Sequence, residues 1–425
     1  MGRYETAAAP HAELAERIAI GLLTWSFPPA LVDEVLVLTG RTEQRTRLLP
    51  ARVVVYFVLA LCLFPGLKYE RVAELLSQGM RWGFGLPGSC PVPTAAALSR
   101  ARARLGPEPL RALFAARAAQ VPPAPGLLGL RVLSLDTARF EVPDSEENAA
   151  GFTRPGTPGG PPRVRVVALA CDANRVVVDA RIGVGGEPAV VAARPLLREA
   201  GRGDLLLAAL GMVGARSWCT ARANGAELLW GVPVEADFVR HATLPDGSYR
   251  SVLDGAGDCD EDGSALAVPV RVVEHTVDGR RLRLVTSLLD PVAAPADALA
   301  ALFLHRWRFR EALAELAAGR PDGAVPALRA RSRRGVEQEV WGYLLVHQAL
   351  AELLRPARDR GEPALDGAVA TAAARRAAAR MAAAAAVAVA GAPVAGGVPR
   401  GLGTRSLGTP VRRPAADERA RRRAG

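Results

Sequence analysis

The chain has 425 residues, half of them hydrophobic, which is enough for two or three domains with sizeable cores. Its formal charge of +11 admits a polyanionic partner, but the stretch 401–425 carries seven arginines against Asp417 and Glu418 and so supplies nearly half of the excess; charge alone does not argue for nucleic-acid binding. Five scattered cysteines with no CxxC pair give no zinc site and fit a reducing cytosol, no secretory leader pattern is visible, and the apolar run from Val53 to Phe64 is too short to span a membrane.

Residues 11 to 120 read as helices. Leu14, Ile18 and Leu22 repeat on one face, Pro28-Pro29 interrupts, and Leu31 to Leu38 resumes the pattern. Val53 to Phe64 follows, then Tyr69 to Leu76, a Gly/Pro-rich loop through Pro93, and a helix starting near Thr94. That last helix carries Arg100 and Arg104 one turn apart, with Arg102 off their face. The spacing suits phosphate contacts by a docking helix, and equally suits solvated arginines on a surface.

Residues 121–130, rich in Pro and Gly, mark the expected boundary of a helical N-terminal domain spanning 1–120. Strands follow at Val132 to Val142, Val164 to Cys171 and Val176 to Ile182, with turn chemistry at Asp172-Ala-Asn174. A helix near Ala189 to Ala200 precedes a fourth strand, Asp204 to Leu210, whose apolar interior suits cover on both faces. Four further strand-like runs lie between Glu227 and Pro291, and Pro295 to Leu316 reads as a helix. Residues 356–425 lose all pattern and read as an Ala/Arg-rich disordered tail, with a basic arm as the alternative. Asp136 sits inside the first strand, where an ionised carboxylate is costly unless paired or bound to a cation. A capped or salt-bridged aspartate is the commoner reason for such a position.

Several motifs in order shift that balance: Glu141-Val-Pro-Asp144 with Glu147-Asn148, Phe152 and Arg154-Pro-Gly156; Leu31-Val-Asp-Glu-Val35; Leu48 to Tyr56; His305-Arg-Trp307; and Gly335 to Trp341. Together they resemble the insertion element 4 group of bacterial transposases over roughly residues 12 to 355. The resemblance implies an α/β fold: an all-helical N-terminal domain for recognising DNA ends, then a ribonuclease H-like DDE nuclease core over 131–355 with a β-rich insertion at about 227–291. It also implies a double-stranded DNA partner in the inverted-repeat ends of the element, action as a homodimer, no membrane, a cytoplasmic, nucleoid-associated location, and Arg306 and Trp307 on the DNA side.

The chemistry implied is in-line attack on phosphorus, assisted by two Mg²⁺ (or Mn²⁺) ions held by three carboxylates. Hard cations demand oxygen ligands, so each position is decisive. Asp136 matches the first acid. The second position, in a group pattern Ala-Asp-Arg-Gly-Phe, holds Ala209 within Ala208-Ala-Leu-Gly-Met212; Asp204 is about 16 Å away along a strand and on its other face. The third, on the closing helix, holds Arg310, and Glu311 beside it is rotated by about 100° and is a weak substitute. The expectation is a transposase by descent whose copy here is catalytically inactive; the alternative is a non-catalytic DNA-binding remnant that occupies element ends.

Overall fold

The computed structural model describes residues 21–43, 49–84, 93–122, 124, 126–154, 160–183, 185–208, 214–259, 265–277, 279–306 and 328–359. All of them belong to one compact unit, Met1–Ala382. Five helices come first: α1 Pro29–Leu38, α2 Ala51–Leu63, α3 Tyr69–Phe84, α4 Ala95–Leu105 and α5 Glu108–Ala118. The α2 sequence is apolar on every side, and residues 54–63 are all buried, so its valines are helical because of where they pack and against their own preference. Thr94 opens α4 by accepting the N–H of Ala97 at 3.3 Å, as a helix N-cap does.

The strands are β1 Arg131–Glu141, β2 Arg163–Cys171, β3 Val176–Ile182, β4 Asp204–Ala208, β5 Glu227–Val232, β6 Ala242–Thr243, β7 Tyr249–Cys259, β8 Ala265–Val277 and β9 Arg280–Thr286. They form one nine-stranded sheet in the order β3-β2-β1-β4-β5-β9-β8-β7-β6. The β1, β2 and β3 strands are an antiparallel meander, whereas β4 joins β1 in parallel and β5 joins β4 in parallel. Strand β9 then pairs antiparallel with β5, so the later hairpins extend the same sheet. The helices are α6 Glu146–Gly151, α7 Ala189–Leu197, α8 Ala215–Arg222, α9 Ala296–His305 and α10 Arg333–Asp359. No helix among the described residues is long and apolar enough to cross a membrane.

Two expectations need correction. The run Leu228 to Val232, placed in the insertion, pairs in parallel with β4, with Leu228, Leu229 and Trp230 opposite Leu206, Leu207 and Ala208. The closing helix, expected from Pro295 to Leu316, is described only as α9; Arg306, at ψ 139°, leaves the helical conformation, and residues 307–327 lie outside the described set, as do 209–213 and 360–425.

One face of the sheet carries α7 and α8, packed on Leu133, Leu135, Leu206, Ala208 and Trp230. The other face is split. Helix α9 covers Val132, Leu205, Leu207 and Leu229. Helix α10 and the N-terminal helices cover Ala138, Phe140, Val164 and Val177. This second core runs unbroken from α1 to β3: Trp341 of α10 meets Phe114 of α5 at 5.3 Å, and Tyr343 meets Phe140 of β1 at 6.0 Å. The expected division at 121–130 is thus where the chain passes from helices to sheet, while the packed core continues across it. Helix α10 comes close to α2 at Gly342, where an added Cβ would lie 2.7 Å from Sγ of Cys62.

Candidate active site

Alternation along β1 sends Val132, Ser134, Asp136, Ala138 and Phe140 to one face. Val132 belongs to the α9 core, and Ala138 and Phe140 belong to the α10 core. Ser134 and Asp136 therefore sit at the seam between the two. Asp136 Oδ1 accepts the N–H of Thr137 at 2.8 Å, but Oδ2 is buried with no hydrogen-bond partner among the described residues, and so is Oγ of Ser134. A carboxylate oxygen left like this is destabilising, and a cation is one thing that would relieve it.

Among the described residues there is no group of three or more His, Cys, Asp or Glu that could hold a metal. The register of β4 on β1 ends with Ala208 opposite Leu135, one residue short of both Asp136 and position 209. Ala209, Trp307, Arg310 and Glu311 lie outside the described residues. Asp204 is committed elsewhere. It forms a bidentate pair with Arg131, at 2.8 and 2.9 Å, and accepts the N–H of Gly201 at 2.9 Å.

The signature after β1 is mostly a clasp. Asn148, fully buried, donates to the carbonyls of Pro143 and Ala330, each at 3.0 Å. Ser145 donates to the carbonyl of Arg331 at 2.7 Å, and Glu147 accepts the N–H of Arg333 at 2.9 Å. Asp144 pairs with Arg154 at 2.6 Å. These residues, most of them part of the motif that carries the resemblance, anchor the segment that leads into α10.

Helix α9 is fixed at both ends. Its Phe303 packs onto β5 at Gly231, where a Cβ would lie 2.6 Å from the ring; only glycine permits that approach. At the other end Asp246, in the Pro245-Asp-Gly247 turn, accepts the N–H of Ala296 at 3.0 Å. Asp246 also pairs with Arg271, a fully buried arginine on β8. Arg271 donates to Ser248 at 2.7 Å and to the carbonyls of Leu288, Asp290 and Ala294 at 3.2, 3.3 and 2.7 Å. Burial works to raise the Asp246 pKa, but the Ser248 hydroxyl, the Ala296 N–H and Arg271 outweigh it and hold the carboxyl below its ordinary value. The sequence analysis does not find this node, because nothing local marks Arg271 as buried. Arg306 stacks on Phe303 at 3.7 Å and donates to that residue's carbonyl, so its guanidinium is engaged within the chain. Arg100 and Arg104 are exposed, and Arg102 between them is buried.

Residues 17–115 match the family model for the insertion element 4 transposase N-terminal region. The chain is 27% identical over 334 residues to transposase InsG of insertion sequence element IS4 from Escherichia coli (strain K12), an alignment covering 75% of this chain and 73% of that protein. Among solved structures it is similar to piggyBac transposase in its synaptic complex with hairpin DNA, at 10% identity over 89% of this chain and 83% of that one; a TM-score of 0.43 is too slight a likeness to bear on the fold. The N-terminal match and the long alignment together make the chain similar to the insertion element 4 transposases.

Proposed function

We propose that this protein is a catalytically silent member of its family: a ribonuclease H-like scaffold that binds double-stranded DNA at element ends and does not cut it. The strand arrangement β3-β2-β1-β4-β5, an antiparallel meander followed by two parallel additions, supports the ribonuclease H-like reading. Silence rests chiefly on Asp136, whose second carboxylate oxygen is buried without a partner among the described residues, in a chain that has Ala209 and Arg310 where the resemblance expects the other two acids. A guanidinium at an acid position adds positive charge where divalent cations would have to sit, so the loss is greater than that of a neutral replacement.

Strand cleavage on DNA carrying the inverted repeats, with Mg²⁺ or Mn²⁺ supplied, tests this. The unaltered chain is expected to give no product, and Ala209→Asp combined with Arg310→Glu to restore nicking that Asp136→Asn then removes. Metal-dependent cleavage by the unaltered chain would overturn the proposal.

A further inference from the structure

Helix α4 is held by α10 through a buried polar lock. The guanidinium of Arg102, 6% exposed, pairs with Glu339 at 2.8 Å and donates to Gln338 at 3.0 Å and to the Tyr69 hydroxyl. Gln338 in turn donates to the carbonyls of Arg102 at 3.0 Å and of Gly106 at 2.8 Å, satisfying the C-terminal end of α4. The other carboxylate oxygen of Glu339 accepts the N–H of Arg329 at 2.7 Å. An apolar side chain at 102 would fill the same space at lower desolvation cost; the use attested elsewhere for such a pair is to fix register.

Fixing Arg102 inward has a geometric result. Arg100 and Arg104 are each two residues away, about 200° around the helix, so both turn to solvent on the opposite side. At the end of that face two more arginines converge from distant parts of the chain. Arg41 donates to the Arg104 carbonyl at 3.2 Å, and Arg41 and Arg334 each hold one oxygen of Glu108, at 3.2 and 2.6 Å. Arg41 and Arg334 share the one Glu108 carboxylate while Arg100 and Arg104 stand exposed, so these five groups sum to a positive surface.

Building on the proposed DNA-binding function, we propose that Arg100, Arg104, Arg41 and Arg334 form a phosphate-contacting surface for double-stranded DNA, and that the Arg102–Glu339 lock is its positioning device. The start of α10 is then part of the DNA interface, and the N-terminal helices do not read DNA as a separate module. Backbone contacts of this kind carry no base preference and show in the salt dependence of affinity.

The experiment is fluorescence anisotropy of the full chain with a labelled duplex of arbitrary sequence, over a range of salt concentrations. Replacing Arg100 and Arg104 together by Gln is expected to lower the salt slope by about two, and Arg334→Gln by about one. Arg102→Met with Glu339→Gln keeps an acceptor for the Arg329 N–H; where melting shows it folded, its slope is expected to fall toward that of the Arg100/Arg104 variant. An unchanged slope in the Arg100/Arg104 or Arg334 variants overturns the surface. A folded lock variant with the full slope overturns the positioning role and leaves the surface standing. If the unaltered chain binds no duplex at low salt, both this inference and the DNA-binding function fail.

Discussion

Two buried polar regions of the molecule answer the same problem differently. At the clamps, Arg271 with Asp246 and Arg102 with Glu339, every charge taken from water meets an opposite charge and several hydrogen bonds. At the seam on β1, Asp136 and Ser134 each keep a buried oxygen with no partner among the described residues. Burying charge costs several kcal/mol per ion, recovered only when geometry and remaining bonds are complete. The clamps meet that condition within the chain. Among the described residues the seam does not, and under the proposed function Ala209 and Arg310 stand where acids would share it. The clamps that hold the fold are therefore complete where the seam, among the described residues, is not.

The sharpest way to break the comparison is to remove one member of a clamp. Arg271→Ala strands Asp246 and three carbonyls, and is expected to destabilise the fold by about 3 to 5 kcal/mol in urea unfolding. A loss under 1 kcal/mol would mean the clamp is ornamental. Next comes Gly342→Ala, where about 1 kcal/mol of better helix propensity opposes overpacking against Cys62 of about 1 to 3 kcal/mol. The net expectation is a lower melting temperature, recovered when Cys62→Ala is added; a single variant more stable than the parent would show that α2 and α10 can part freely.

The smallest expected effect is one of pH. Asp246 is depressed in the folded state, so the unfolded chain binds its proton first as pH falls. Its contribution is fully present above the ordinary carboxylate value, near 4, and is lost as pH drops through the lower folded value. Asp246→Asn should thus flatten the acid limb of the stability curve while leaving its shape at neutral pH unchanged. An acid limb identical to the parent's would remove Asp246 from the account.

Much of the fold was legible because apolar runs and turn residues are local signals. The meander β1 to β3 was read within a residue of its observed ends, and so was the start of the helix near Thr94. Strand β5 was read as a strand but assigned to the insertion, since parallel pairing with β4 across a crossover helix leaves no local mark. The candidate site divides in the same way. Asp136 was found through a motif, whereas the clasp made by Asn148 and the clamps on Arg102 and Arg271 join residues as far as 237 positions apart, and burial of an arginine cannot be read from its neighbours in sequence.

The central claim, that the seam on β1 lacks the ligands for divalent ions, is tested most directly by thermal unfolding with and without Mg²⁺ or Mn²⁺, because an ion that binds the folded chain raises its melting temperature. The expected result is no shift for the unaltered chain and a rise for Ala209→Asp with Arg310→Glu that disappears with Asp136→Asn. A metal-dependent rise in the unaltered chain, abolished by Asp136→Asn alone, would contradict the account.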